Sequence, residues 1–212
     1  MIKIEDTEVV GWRAAIRGAR NPMNSWARSD SVYFPGQDYS CCVSLGPNDL
    51  KLLRGLANAG PDHGKYLRMI QVYCDITAPL YWYKELDTYR MGVEKNSCST
   101  MHKIHSRDLN VDDFSHDHNL VPGWLEYTVS VLNACRDRFL ETKEKSWWYT
   151  MIQVLPSSYN QRRTYMFSYA ALRAIYHARK NHKLAEWHDF CDWVRMLPYA
   201  AELITNEEVE TE

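Results

Sequence analysis

The stretch APLYWYKELDTYRMGVEKNSCSTMHKIH, from Ala78 to His105, contains the features that decide the fold and the candidate site. It opens with an Ala-Pro break, and an aromatic patch, Tyr81 to Tyr83, follows directly. A run of small polar residues, Asn96 to Thr100, then stands beside the basic residues that close the stretch. Hydroxyl groups are costly to bury without partners, so this run indicates either a surface loop or an anion site built from hydroxyl and backbone donors.

Apolar periodicity upstream of this stretch predicts two strands and a helix. Residues 67–77 alternate between apolar and polar, and the Ala-Pro pair ends this strand because proline removes a backbone donor. Residues 2–10 alternate in the same way and predict another strand. Residues 47–60 place leucines at helical spacing between an opening proline and a closing glycine, which is typical of a helix.

A shorter helix is expected over residues 11–20, where Arg13, Arg17 and Arg20 fall on one face. We expect this face to be solvated, with the basic edge of an anion site as the alternative. The loop-forming residues that follow predict irregular structure up to Gly46.

Helical patterns predominate in the rest of the chain. Residues 80–90 are expected to be helical because proline is favoured at a helix start. The later patterns predict an irregular segment over residues 108–119 and helices over 120–142 and 147–154. They then predict a strand over 163–168 and helices over 169–179 and 184–203. The acidic tail TNEEVETE is expected to be frayed.

Length and composition predict one soluble domain over residues 1–212. The chain is 45% hydrophobic and 25% charged, and no internal repeat or linker divides it. The net charge of −2 argues against a nucleic-acid polymer as partner. No apolar run approaches the ~20 residues that span a bilayer, and the charged N-terminus does not resemble a signal peptide. We therefore expect a cytoplasmic protein that does not contact a membrane.

The six cysteines show no C-x-x-C spacing, which favours reduced, mostly buried thiols. Cys74 and Cys135 fall on apolar positions, and the adjacent Cys41-Cys42 pair is more often incidental than a redox device. His102 and His105 have H-x-x-H spacing, and His116 and His118 have H-x-H spacing. Spacing alone is weak evidence for zinc ligands, so we predict no metal site. Cys98 lies four residues before His102, but a thiolate nucleophile lacks a third orienting group.

The predicted helix ALRAIYHARKNH contains Arg173 and Arg179, and Arg179 lies near its end. Cationic residues there usually complement the helix dipole. A guanidinium is also suited to hold an anionic or enolate-like oxygen of a substrate, because it stays charged at all relevant pH values. The residue types alone leave both interpretations open.

Segments spread along the chain resemble the flavin-dependent thymidylate synthases (the ThyX family). That family has a histidine-containing turn, a strand ending in Ala-Pro, a helix, the signature R-H-R-x-x-S-x-x-x-x-S-x-R, and later a Leu-Pro element, a strand and a helix ending in an arginine. The corresponding segments are His63-Gly-Lys-Tyr-Leu-Arg68, IQVYCDITAP, LYWYKELDTYR, NSCSTMH and VLPSSYNQRRTYMFSYAALRAIYHAR. The likeness covers about residues 47–203. Forms close to DTYR-x-G, NS-x-STMHKIH and LPSSYNQ-R are typical of a divergent branch in bacteria and their phages.

The resemblance implies an α+β fold, with an antiparallel sheet flanked by helices, and a homotetramer whose subunits share active sites. It implies cofactor contacts from five residues, His63, Lys65, Arg68, Arg90 and Asn96. It implies substrate contacts from Glu85, Ser97, Ser99, Thr100 and Arg179. Ser97 or Ser99 matches a serine near the nucleotide phosphate, and Arg179 matches the arginine that holds the pyrimidine.

The chain departs from the family pattern at several positions. Thr88-Tyr89 stands where the signature has Arg-His, and Thr100 or Met101 stands where a phosphate-binding arginine is expected. Ser168 and Ala170 replace an asparagine and an arginine that usually help to hold flavin. Losing an arginine removes a charge-assisted, often bidentate contact. We therefore expect either a substitute cation, from His102, Lys103 or Arg162, or a substrate other than dUMP.

The activity that the resemblance implies is the reductive methylation of dUMP to dTMP. Reduced FAD supplies hydride, methylenetetrahydrofolate supplies carbon, and NADPH is the reductant. Arg179 would polarise the pyrimidine and stabilise its negative charge, so the reaction needs no protein nucleophile. Two alternatives remain open: a protein of this fold that only binds flavin or a nucleotide, and a related enzyme for a different pyrimidine nucleotide.

Overall fold

The computed structural model describes residues 2–34, 43–118 and 120–206. The chain divides into two compact units. Unit 1 comprises the first residues of the chain with Ile76–Thr88 and Asn96–Arg163. Unit 2 comprises the described residues of Ile4–Asp75, Tyr89–Lys95 and Thr164–Glu212. The prediction of a single domain over residues 1–212 stays a prediction.

Six strands form two sheets in the described residues. The strands are β1 (Lys3–Val10), β2 (Val32–Tyr33), β3 (Val43–Ser44), β4 (Gln71–Pro79), β5 (Val93–Ser97) and β6 (Asn160–Ser168). The main sheet has the order β1-β4-β6-β5, and β2 pairs with β3 in a small antiparallel sheet. β5 and β6 are antiparallel: the N–H of Cys98 donates to the carbonyl of Arg162, and the N–H of Ser168 to that of Gly92.

The α-helices in the described residues are α1 (Trp12–Arg20), α2 (Pro47–Asn58), α3 (Leu80–Leu86), α4 (Thr100–Lys103), α5 (Trp124–Thr142), α6 (Lys145–Val154), α7 (Tyr169–Arg179) and α8 (Ala185–Arg195). Helices and an antiparallel sheet together confirm the predicted α+β class. None of the helices in the described ranges has the length and apolar character that crossing a membrane requires.

In unit 2, a close backbone approach fixes the start of α1. Gly11 precedes this helix with a φ of 94°, and a Cβ there would lie 2.0 Å from the carbonyl oxygen of Met69. Only glycine combines this conformation with such an approach. The core of unit 2 is apolar and includes fully buried side chains from α1, α2, α7 and α8, among them Ile16, Leu53, Leu172, Ile175, Phe190 and Val194.

Unit 1 has its own hydrophobic core around the long helix α5. Leu125, Val129, Leu132 and Cys135 follow one another at helical spacing and are all buried in one cluster, whereas Phe139, the next residue of that spacing, is only half-buried. Met151 of α6 and the connecting residues Ile104, Leu109 and Phe114 complete that cluster. The buried thiols of Cys74 and Cys135 follow the prediction, whereas Cys41 and Cys42 lie outside the described residues.

The alternating face predicted for β4 is confirmed, but its start is wrong. Val72, Cys74 and Ile76 are each at most 1% exposed, as the alternation requires. The strand begins at Gln71, and Gly64–Arg68 forms a 3₁₀ helix instead. A short 3₁₀ helix leaves little periodic signal in the sequence, so the predicted strand begins too far towards the N-terminus.

Other predicted boundaries also differ. The helix predicted for residues 80–90 ends at Leu86, and the one predicted for 184–203 ends at Arg195. α5 begins after Gly123 in the left-handed conformation, not at residue 120. β6 begins three residues before the predicted position, and the polar run begins within β5 instead of in a loop. β5 and the start of β6 are polar and carry little apolar alternation, so the sequence gives a weak strand signal there. Pairing with neighbouring strands stabilises them.

The basic face predicted for α1 is solvated at Arg13 and Arg17 only. Arg20 is 4% exposed, and its Nε donates to Oδ1 of Asp49 at 2.6 Å. The prediction of a fully solvated face is therefore wrong for Arg20. Helical spacing places the three arginines on one face, but only Arg20 is buried, because it pairs with the buried carboxylate of Asp49 on α2.

Candidate functional site

A cleft of about 410 Å³ in unit 1 gathers part of the polar run. Ser99 is the N-cap of α4, and its side-chain oxygen accepts the backbone N–H of His102 at 3.1 Å. Thr100 lies beside it, and the charged lining residues are Lys103, Arg107, Arg162, Asp112 and Asp113. Hydroxyl groups next to an ammonium and a guanidinium suit a phosphate-sized anion.

The charges in this cleft partly neutralise each other. Arg107 binds both carboxylate oxygens of Asp113, and this hydrogen bonding raises the pKa of the guanidinium. Burial opposes ionisation of Asp113, but hydrogen bonds from Arg107 and the backbone of Asn110 hold its pKa below the ordinary value. Burial, followed by the charge of Asp113, raises the pKa of Tyr159, which therefore stays a neutral phenol. Because Asp113 neutralises Arg107, Lys103 and Arg162 are the cations of this cleft that we expect an anion to meet.

Side chains of β6 fix the loop that enters α4. Gln161 is 8% exposed, and its Nε2 donates to the carbonyl of Cys98 at 2.5 Å. Arg163 donates from Nε to Oε1 of Gln161 at 2.8 Å, and its Nη1 lies 3.0 and 3.2 Å from the two carboxylate oxygens of Asp87. Its guanidinium also stacks 3.7 Å from the ring centroid of Tyr83. These linked hydrogen bonds hold the backbone at Cys98, immediately before Ser99, in a fixed position.

A second cleft, of about 360 Å³, lies within unit 2 between the end of α2, the following turn and α7. Arg68 lines it, as do Arg173 and His177. Arg173 donates to the carbonyl of Leu203 at 2.8 Å and to Asn58 Oδ1 at 3.2 Å, so its guanidinium is held by the protein. The other lining residues are mostly small, and include Ala57, Gly60, Gly64, Ala170 and Ala174.

The residues of this second cleft fit part of a flavin cofactor. Small side chains leave room for a planar ring to approach the backbone of α7 closely. Arg68 is exposed beside these small residues and offers a permanent cation to an anionic group. Ala170 stands where the family usually has an arginine, so any flavin contact from that position would be apolar.

Arg179, the predicted catalytic residue, lies at the C-terminal end of α7 in unit 2. Its Nε donates to the hydroxyl of Tyr89 at 2.9 Å. Its guanidinium carbon lies 5.5 Å from the ring centroid of Tyr89 and 4.9 Å from that of Trp187. Ser168 caps the opposite end of the helix by accepting the N–H of Ala171 at 3.2 Å. The capped helix and the two rings give this guanidinium a defined place.

The remaining sequence-predicted residues lie on elements around these features. In unit 2, His63 and Lys65 are exposed at the 3₁₀ helix that carries Arg68, and Arg90 is exposed next to Tyr89. In unit 1, Glu85 is half-buried on α3, and Asn96 and Ser97 are exposed at the end of β5. Ser99 and Thr100 are the predicted substrate residues that line the first cleft, and Arg68 is the predicted cofactor residue that lines the second.

Sequence reasoning missed three contributors to these sites. Tyr89 departs from the family signature, but its bond to Arg179 spans 90 positions and leaves no local pattern. The sequence pattern places Trp187 on a helix and indicates no further role. Asp113 carried a usable signal, because an asparagine three residues before an aspartate is a capping pattern.

Within the described part of the chain, no group of three or more His, Cys, Asp or Glu side chains is placed to hold a metal ion. The zinc spacing of the four histidines therefore does not correspond to a cluster in the described residues. Cys98 is an exposed free thiol that lines the first cleft.

Comparisons with known proteins bear on the fold. No protein-family model and no curated protein sequence matches the chain. Its structure is similar to thymidylate synthase X (ThyX) from Helicobacter pylori in a crystal structure with FAD and dUMP, with a TM-score of 0.73, 17% identity, and 97% and 98% of the two chains covered. A second Helicobacter pylori ThyX structure, complexed with FAD and dUMP, gives 0.72 at 16% identity, covering 96% of this chain and 98% of that one.

The UMP/dUMP methylase PolB from Streptomyces cacaoi, bound with 5-Br dUMP, is also similar, with a TM-score of 0.61 and 12% identity. This match covers 97% of the present chain and 95% of PolB. The resemblance seen in the sequence is thus confirmed at the level of architecture, and the chain has the fold of the flavin-dependent thymidylate synthases.

Proposed function

We propose that the protein is a flavin-dependent enzyme that methylates dUMP reductively to dTMP. The observation that carries this proposal is the likeness, over nearly the full length of both chains, to a ThyX structure that contains FAD and dUMP. Methylenetetrahydrofolate is the proposed carbon donor and NADPH the reductant, and we propose a homotetrameric assembly in the cytoplasm. The carbon donor, the reductant and the assembly follow from the family resemblance, and the location follows from the composition of the chain.

The cleft at Arg68 is the proposed place for part of FAD. Its small lining residues and exposed guanidinium support this assignment. When bound, reduced FAD supplies the hydride that completes the methyl group. The protein residues of this cleft would bind and orient the cofactor.

The cleft at Ser99 is the proposed place for the nucleotide phosphate. The hydroxyls of Ser99 and Thr100 and the ammonium of Lys103 would share the charge that the missing arginine handles in the family. Because the proposed assembly shares its active sites between subunits, Arg179 of a neighbouring protomer would lie against a pyrimidine oxygen and stabilise the negative charge that develops when the ring becomes nucleophilic. No protein thiol or hydroxyl needs to attack the substrate in this scheme.

The first experiment is spectroscopic. After incubation with FAD and removal of the free cofactor by gel filtration, the protein should retain the flavin absorbance bands, and calorimetry with dUMP should then show saturable heat. Arg179→Ala should keep flavin binding but lose at least about 100-fold in turnover, since it removes a charge placed for the transition state. Arg54→Ala removes an exposed arginine of α2 and serves as the matched control. A protein that binds neither FAD nor dUMP would refute the proposal.

The phosphate assignment has a separate test. Lys103→Ala should raise the dissociation constant for dUMP about tenfold, because a charge-assisted contact is worth ~1.5–3 kcal/mol. It should leave the affinity for deoxyuridine, which lacks the phosphate, unchanged. Lys145→Ala, at an exposed position of α6, is the control. Equal losses for nucleotide and nucleoside would place the phosphate elsewhere.

A second candidate is a related enzyme for a different pyrimidine nucleotide. The missing phosphate arginine favours it, and so does the likeness to PolB, a UMP/dUMP methylase. Comparing kcat/KM for dUMP and UMP decides between the two candidates. Turnover of dUMP at least equal to that of UMP would count against this alternative.

A further inference from the structure

The guanidinium of Arg179 is held by two aromatic side chains of unit 2. Tyr89 accepts a hydrogen bond from Nε at 2.9 Å. The guanidinium carbon lies within 6 Å of both ring centroids, 5.5 Å from Tyr89 and 4.9 Å from Trp187, which is the range of a cation–π interaction. The two rings themselves meet edge to face, with centroids 6.5 Å apart and planes at 70°.

Trp187 is itself immobilised. It is 0% exposed, and its ring packs edge to face against Phe190 at 5.7 Å and His182 at 6.0 Å. The turn after α7 brings these groups together, because the N–H of His182 donates to the carbonyl of Arg179 at 2.9 Å. The ring next to the guanidinium therefore belongs to the packed core of unit 2.

A planar guanidinium stacked on one ring can still rotate in its plane. The hydrogen bond from Nε to Tyr89 removes that freedom, because it ties one edge of the plane to a fixed acceptor. A phenol also supplies this acceptor without charge, whereas a histidine has an ordinary pKa of ~6.5 and would become cationic beside the arginine in mild acid. Tyr89 stands where the family signature has that histidine.

We infer that Tyr89 is a positioning residue for Arg179: its hydroxyl, with the ring of Trp187, holds the guanidinium in the orientation that meets the substrate. This inference rests on the proposed function, because the substrate role of Arg179 belongs to that proposal. It adds a residue whose identity departs from the signature and whose partner is distant in sequence.

The test uses the full-length protein with FAD and compares Tyr89→Phe with wild type. Tyr127→Phe, which alters a tyrosine that is 72% exposed, is the matched control. Tyr89→Phe should lower kcat about tenfold, the value of one charge-assisted hydrogen bond, with KM for dUMP within about twofold. The control should keep both constants.

A second readout does not depend on turnover. Nitrogen-15 labelling of arginine, with the Arg179 signal assigned from Arg179→Lys, reports hydrogen exchange at Nε. That exchange should be about tenfold faster in Tyr89→Phe and unchanged in Tyr127→Phe, because the acceptor is lost only in the former. Trp187→Phe, which keeps a ring, should affect exchange less than Trp187→Leu.

The outcomes separate the two claims. If wild type binds no dUMP and turns nothing over, the proposed function fails, and the substrate half of the inference is overturned with it. Slow Nε exchange that depends on the Tyr89 hydroxyl would still support the holding role in that case. Wild-type kcat and unchanged exchange in Tyr89→Phe would overturn the inference while leaving the proposed function intact, as would a kcat loss matched by loss of folded protein in thermal melts.

Discussion

Replacing Asp49 by asparagine should destabilise unit 2 severely, because this carboxylate is the centre of a buried network. Asp49 is 0% exposed, and its Oδ1 accepts from Nε of Arg20 at 2.6 Å. Its Oδ2 accepts from the hydroxyls of Ser29 and Ser31 at 2.8 and 2.6 Å, and from the backbone N–H groups of Asp30 and Ser31 at 3.1 and 3.0 Å. Asparagine has the same shape, but it carries no charge. Its NH₂ group would also face groups that donate hydrogen bonds to Asp49, so those donors would lose their acceptor.

The magnitude follows from the burial of both charges. Breaking a buried pair by neutralising one partner costs ~3–5 kcal/mol, since the other charge stays buried without compensation. Replacing both charges by apolar groups is often neutral in other proteins. Here Arg20→Met with Asp49→Leu should remain destabilising, because the donors on Ser29, Asp30 and Ser31 would keep no acceptor.

The assay is urea unfolding followed by circular dichroism, which gives the free energy of unfolding from the midpoint and slope. Asp62→Asn, at an exposed position in the turn after α2, is the control and should change it by less than ~0.5 kcal/mol. Ser31→Ala removes the hydroxyl that donates to Asp49 and accepts from the N–H of Gly46. It should cost ~2 kcal/mol and keeps the test possible if Asp49→Asn does not fold. A loss below ~1 kcal/mol for a folded Asp49→Asn protein would refute the reasoning.

The same network predicts a pH dependence. Burial opposes ionisation of Asp49, but hydrogen bonds from Ser31, Ser29 and Arg20 prevail and hold its pKa below the ordinary value of 3.8. A carboxyl with a lowered folded-state pKa stabilises the protein fully above its unfolded value and loses that contribution as the pH falls through the folded value. The stability gap between wild type and Asp49→Asn should therefore be widest above about pH 4 and narrow below it. A gap that is constant from pH 7 to pH 3 would contradict this sign.

Three further predictions concern single side chains. Gly92→Ala should cost ~2 kcal/mol or more in urea unfolding, because φ is 71° there and a Cβ would lie 2.3 Å from Oγ of Ser168, the cap of α7. Tyr83→Phe should cost ~1–2 kcal/mol, since the single proton of its buried hydroxyl is shared between the backbone carbonyls of Ile76 at 2.6 Å and Gln161 at 3.0 Å. An unchanged free energy of unfolding would mean that this contact adds nothing. Arg107→Met should raise the pKa of Asp113 in an NMR titration, and an unmoved titration would contradict the ion-pair assignment.

Much of the local structure could be predicted because its signals are short-range. Alternation defined the buried face of β4, and leucine spacing with an opening proline defined α2. The bounds predicted for α7 match those observed, since Ser168 is a good N-cap and the apolar spacing continues from it. The family resemblance supplied the architecture and the candidate residues, of which Arg68, Ser99 and Thr100 line clefts.

What the sequence by itself determined, then, was the placement of helices and strands with strong periodicity, and the presence of a hydroxyl run beside basic residues. The tertiary structure alone decided which groups face each other. Arg20 is buried against the carboxylate of Asp49, which is 29 positions away in the sequence. Arg179 donates a hydrogen bond to Tyr89, which is 90 positions away. Periodicity reports the face on which a residue lies within its own element. The partner that desolvates or orients a charge comes from another element, and this pairing is set only when the chain packs.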